Sequence, residues 1–122
     1  MPNASAFDKS YLNLGANIQP DSFTDAITAK AGGGQAGATL LINACNRISV
    51  CATAGDSTLL PPAAGGWIIQ VSNGGAASCN VFPAVGEQVN ALGTNTAFAL
   101  AAGKSALFFS TAALQWSSIL SA

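Results

Sequence analysis

Leu40-Leu41-Ile42-Asn43-Ala44-Cys45-Asn46-Arg47-Ile48-Ser49-Val50-Cys51-Ala52 is the stretch from which the fold is read. The even positions Leu40, Ile42, Ala44, Ile48, Val50 and Ala52 are apolar, with Asn46 the exception, whereas Asn43, Arg47 and Ser49 at odd positions are polar. Side chains of an extended strand point alternately to opposite faces, so a period of two predicts one face inward and one outward. Further along, Ala54-Gly55-Asp56-Ser57 reads as a turn. Thr58-Leu59-Leu60 reads as a short strand ended by Pro61-Pro62, because proline has no N–H for a ladder. Trp67 to Ser72 predicts a strong strand with Trp67, Ile69 and Val71 on one face. Asn73-Gly74-Gly75 reads as a hairpin turn, since Asn and Gly tolerate positive φ, with Ser78 to Phe82 as the return strand. Val85 to Asn90 reads as a turn leading into a short strand, and Ala97–Leu100, Ser105–Thr111 and Gln115–Leu120 supply three more. Short strands separated by regular turn signals predict an all-β domain, a jelly roll or related sandwich of about eight strands.

Toward the amino terminus the pattern changes. Phe7, Tyr11, Leu12, Leu14 and Ile18 are scattered among Asn, Gln, Gly, Pro and Asp without a sustained period. A free tail carries fewer bulky apolar groups. This stretch is therefore expected to be an extended arm that docks on a neighbour, with a frayed terminus or a first core strand as the alternatives. Ser22 to Lys30 fits a short helix capped by Asp21 or Ser22, and fits a strand equally well. Ala31 to Gly37 carries three consecutive glycines and reads as a flexible joint, without the Lys-Ser/Thr of a phosphate loop. The expected division is residues 1–31 as arm and connecting element and residues 32–122 as the β domain.

Composition narrows the function. Of 122 residues, 50% are hydrophobic, only 7% are charged and none is His. Globular domains carry about a quarter charged residues. Much of this surface is therefore expected to be apolar or neutral and covered by other protein, as in a building block of an assembly. The four basic residues, Lys9, Lys30, Arg47 and Lys104, are spread out, so no nucleic-acid partner is expected, because phosphate binding needs clustered positive charge. Apolar runs such as Phe98–Ala102 are far shorter than the roughly 18 to 20 residues of a membrane-spanning helix, and no membrane partner is expected. Met1-Pro2-Asn3-Ala4-Ser5 lacks the start of a signal peptide, which predicts folding in a reducing cytoplasm.

Candidate chemistry is sparse. Cys45, Cys51 and Cys79 are odd in number, with no CxxC spacing, and read as small packing residues. Structural zinc takes four Cys or His ligands, so neither metal nor cofactor is expected. If Cys45 and Cys51 share one strand they face the same way about 20 Å apart, beyond disulfide reach. A hairpin between them would bring them closer. Without His, acid–base work would fall to carboxylates, and Asp56 with Glu87 is the best candidate pair, both next to glycine in turns. Paired carboxylates cleave glycosidic bonds at a defined separation. The competing reading, with Asp56 capping a turn and Glu87 solvated, is preferred. Arg47 and Lys104 read as rim charges or subunit salt bridges. No catalytic residue is assigned, and the chain is not expected to be an enzyme.

Three groups of residues carry a resemblance. The first is Gly33-Gly34-Gln35-Ala36-Gly37-Ala38-Thr39, followed by Asn46-Arg47-Ile48-Ser49-Val50-Cys51-Ala52-Thr53-Ala54-Gly55-Asp56-Ser57 and Leu60-Pro61. The second is Val71-Ser72-Asn73-Gly74-Gly75-Ala76 and Val81-Phe82-Pro83-Ala84-Val85-Gly86 with Val89-Asn90. The third is Ala101-Ala102-Gly103-Lys104-Ser105 with Phe108-Phe109 and Gln115-Trp116. In this order, over about residues 32–120, they resemble a module of tailed-bacteriophage virion proteins, found in capsid decoration (cement) proteins and in head-fibre or tail-associated proteins. The resemblance implies a structural virion protein made in the host bacterial cytoplasm and carried on the outer capsid surface. Its implied partners are the major capsid protein and itself, as a homotrimer. On this reading Phe7, Tyr11, Leu12 and Leu14 contact the capsid, and Trp67, Phe82, Phe108, Phe109 and Trp116 form core or subunit interface. The alternative is a head-fibre or tail-fibre module that binds a host-surface receptor or glycan.

Overall fold

The computed structural model describes residues 22–122. Ten strands and no helix form there. They are β1 (Phe23–Thr28), β2 (Thr39–Leu40), β3 (Cys45–Val50), β4 (Ser57–Leu59), β5 (Ile68–Asn73), β6 (Cys79–Phe82), β7 (Gln88–Val89), β8 (Phe98–Leu100), β9 (Ser105–Ala112) and β10 (Gln115–Leu120). The chain changes sheet at every step from β1 to β9. One sheet has six strands in the order β1-β3-β5-β9-β10-β7, and the other has four in the order β2-β4-β6-β8.

The all-β expectation holds; the jelly roll does not. A jelly roll is built from antiparallel strands, whereas five of the eight pairings here are parallel: β1–β3, β3–β5, β2–β4, β4–β6 and β7–β10. Each pair of strands (β1 with β2, β3 with β4, β5 with β6) forms one turn of a coil, and the three turns stack like a short solenoid. Antiparallel strands β8 and β9 then cover β6 and β5, and β10 folds back on β9 as a hairpin. The sheet begins at Phe23, inside the stretch expected to be a connecting element, and that stretch is strand, not helix.

The corners explain why hairpins were expected and coils were found. Asn73-Gly74-Gly75 does not return the chain onto β5. Gly74 N–H donates to Ile48 O at 2.7 Å and Ala77 N–H to Cys51 O at 3.0 Å, so the bend bonds to the corner of the coil before it. A Cβ on Gly75 would lie 2.5 Å from Cys51 N, so only glycine allows this approach. Gly33 stacks on the same side, with φ +69° and room for no Cβ against Gly55 O. Buried Asn73 ties the corner together. Its Nδ2 donates to Ala77 O (2.9 Å) and Leu100 O (2.8 Å), and its Oδ1 accepts from Gly75 N–H (2.9 Å). At the start of β3, Asn46 Nδ2 likewise donates to Asn43 O and Gln70 O.

These corners also break the period of two in residues 40–52. Leu41 and Cys51 are buried at odd positions, while Leu40, Ile42 and Val50 are exposed. The run is two strands in different sheets, and the inward parity changes at each bend. The inner faces close over one core. Ile48, Ile69, Val71, Phe108 and Trp116 come from the six-stranded sheet and Cys79, Val81 and Leu100 from the four-stranded sheet. Phe98 meets Phe108 edge to face, with ring centroids 5.3 Å apart, joining the two layers.

Candidate functional site

The two carboxylates flagged in the sequence are structural. Asp56, 5% exposed, caps its turn as expected: Oδ2 accepts from Thr53 N–H at 3.2 Å and its own N–H donates to Thr53 O. It lines a glycine-walled crater of about 490 Å³ with Gly33, Gly55 and Asn80. Glu87 was expected to be solvated, but it is only 4% exposed. Its two oxygens accept from Ala63 N–H at 3.0 and 3.1 Å, and Oε1 also accepts from Trp116 Nε1 at 3.3 Å. The physical cause is the parallel pairing of β7 with β10, which sets Val89 opposite Trp116 and brings the preceding carboxylate to the indole. Asp56 and Glu87 share no hydrogen-bond partner, so the structure does not join them into an acid–base pair.

Of the aromatic residues expected in core or interface, Phe108 and Trp116 are fully buried, and Phe82 and Phe109 are half-buried. Trp67 does not share the buried face of Ile69 and Val71, where the alternation places it. It precedes β5 and is 49% exposed, because the Gly65-Gly66 bend releases it from the strand alternation. Phe7, Tyr11, Leu12 and Leu14 lie outside the described residues.

Cys45 opens β3 on its outer side, while Cys51 sits past the end of β3 at a buried corner. The two do not share a strand face. Burial pushes the Cys51 thiol up and the Cys79 thiol up to about 12, with the proximity of Cys51 adding to the latter. Two of the described charged side chains, Arg47 and Lys104, find partners within the chain. Arg47 Nη1 donates to Asp25 Oδ1 at 3.0 Å, which together with the Ala26 N–H holds Asp25 below the usual carboxylate range. Lys104 Nζ donates to Ala122 O at 2.5 Å.

Among the described residues, exposed apolar surface gathers in two places. The first is a groove of about 560 Å³ at the corner between the sheets, lined by Leu40, Ile42, Pro61, Trp67 and Ile68, with Ser22 at its lip. The second is the outer face of the six-stranded sheet. Register places Phe23, Cys45, Gln70, Leu107 and Ile119 in one row across five strands. Ile68 and Phe109 stand opposite each other in the next row. Sequence reasoning did not find this face, because its apolar residues come one at a time from strands far apart in sequence. Only the pairing register assembles them.

No family model, curated protein or solved structure matches the chain.

Proposed function

We propose that this chain is a non-enzymatic structural component of a tailed-bacteriophage virion, a capsid decoration protein that binds the major capsid protein on the outer surface of the head. The observation that carries the structural part of this reading is exposed apolar surface on a chain with little charge. Ile42 is 70% exposed, Ile68 54% and Trp67 49%, where a free monomer spreads charge over its surface. The carboxylates that a hydrolase would use are occupied in holding turns and the indole of Trp116. The resemblance in residues 32–120 supplies the virion setting. The protein acts by mass action: it binds the assembled shell and not the dispersed subunits, so each bound copy stabilises the shell. A homotrimer would engage the shell through three arms, and the linked contacts gain avidity through effective concentration.

A fibre module that binds a glycan is the second reading, favoured by the exposure of Trp67 beside a concave groove. The other walls of that groove are mainly aliphatic, which suits an apolar partner better than a sugar. The test is co-sedimentation of the purified chain with heads from the phage that encodes it, stripped of the protein. The full chain is expected to pellet with heads, and a chain lacking residues 1–20 to stay in solution while keeping its β circular dichroism. Failure of the full chain to pellet, with binding to a glycan array instead, would overturn decoration in favour of the fibre reading.

A further inference from the structure

We infer that the outer face of the six-stranded sheet is buried against further copies of this chain. The inference rests on the sheet and not on the virion reading. The row Phe23–Cys45–Gln70–Leu107–Ile119 crosses five hydrogen-bonded strands, and Phe23 (71%), Ile119 (60%) and Leu107 (38%) are all open to solvent. Apolar depressions lie on both sides of Gln70, one against Leu107 and Ile119, the other against Phe23 and Cys45.

The polar groups on this face are already satisfied. Gln70 donates to Ser72 Oγ and accepts from Asn46 N–H at 3.3 Å, and the Ser72 and Ser105 hydroxyls bond each other at 2.7 Å. Among the described residues its one charge pair, Arg47 with Asp25, lies beside the Phe23–Cys45 depression and is neutral as a pair. The face therefore offers a partner no net charge. A partner of net charge would lose its own hydration over the apolar row without compensation. A second copy of the same face meets no like charge and buries apolar surface on both sides. Five strands of about six residues make roughly 24 Å by 20 Å, or about 500 Å² of flat sheet before side-chain relief is counted. That flat area is below the ~800 Å² per partner of a standard interface and, over two copies, near the ~1,000 Å² total that a specific one must clear.

Cys45 is a reporter placed by the fold, exposed in the row between Phe23 and Gln70, while Cys51 and Cys79 are buried. The test is maleimide labelling of the full chain in reductant-free buffer after reduction, at about 100 µM, where mass action favours association. Cys45 of the unaltered chain is expected to label about tenfold or more slower than Cys45 of Ile119→Glu. Leu107→Glu serves as a second variant should Ile119→Glu lose its β circular dichroism. Val85→Glu changes an exposed apolar residue away from this face, and it is expected to retain the protection. Equal labelling rates in the unaltered chain and a folded Ile119→Glu or Leu107→Glu would overturn the inference. So would loss of protection in Val85→Glu.

Discussion

The coiled half of the molecule, β1 to β6, and the antiparallel half, β8 to β10, solve the same problem differently. In the coils the strands are short and the corners are fixed by small groups: the absent Cβ of Gly75, the amides of Asn46 and Asn73, and backbone bonds from one corner to the next. In the β9–β10 hairpin, stability comes from volume, with Phe108 and Trp116 fully buried and Glu87 clamping the indole. A parallel stack fails at its corners, because a corner that cannot close leaves buried backbone groups unpaired. A hairpin fails through its core, because removing a large side chain leaves a cavity.

The largest effect that separates the two halves is expected for Trp116→Ala. Losing the indole should cost about 4 kcal/mol and leave Glu87 with only its Ala63 bonds. By hydrogen exchange, β9 and β10 should lose protection before β3 and β5; equal loss throughout would dissolve the distinction. Asn73→Ala should rank next, at about 3 kcal/mol in denaturant titration, because the Leu100 and Ala77 carbonyls and the Gly75 N–H all lose their partner. Here the early loss should fall on the corners of the coils. Gly75→Ala places a methyl against the Cys51 backbone and should cost about 2 kcal/mol through the shift it forces. A neutral result would mean that the corner is looser than its bonds imply.

The remaining effect is absent at neutral pH and appears only in alkali. Burial raises the folded-state pKa of Cys79 from an ordinary 9.0 to about 12. The unfolded chain therefore loses that proton first, and the stability this thiol contributes is complete below pH 9 and declines between 9 and 12. Cys79→Ser should flatten that part of a pH–stability profile; an unchanged slope would place the titration elsewhere.

How far the sequence could be read follows the same division. The strands at 57–59, 68–73, 79–82 and 105–120 were legible, because alternation and turn residues are local signals. The two strands of the β9–β10 hairpin were legible but not their pairing, which the register shows. The coils were not, because Asn73-Gly74-Gly75 has the composition of a hairpin turn, and only its bonds to Ile48 and Cys51, more than twenty residues earlier, make it a corner. Residues 40–52 looked like one strand because Leu41 and Cys51, the residues that change the inward parity, are apolar among apolar neighbours. Burial of Glu87 had no local sign, since its partner Trp116 lies 29 residues on. The row from Phe23 to Ile119 depends entirely on register, and low charge was its only trace in the sequence.

Light scattering of the full chain after gel filtration in reducing buffer tests the central claim, that the exposed apolar surface belongs to an assembly, most directly. A mass of at least two chains of 12.1 kDa each, three for the proposed trimer, is the predicted result. A mass of one chain at the highest soluble concentration would contradict it, because that face would then be stable in water without a partner copy.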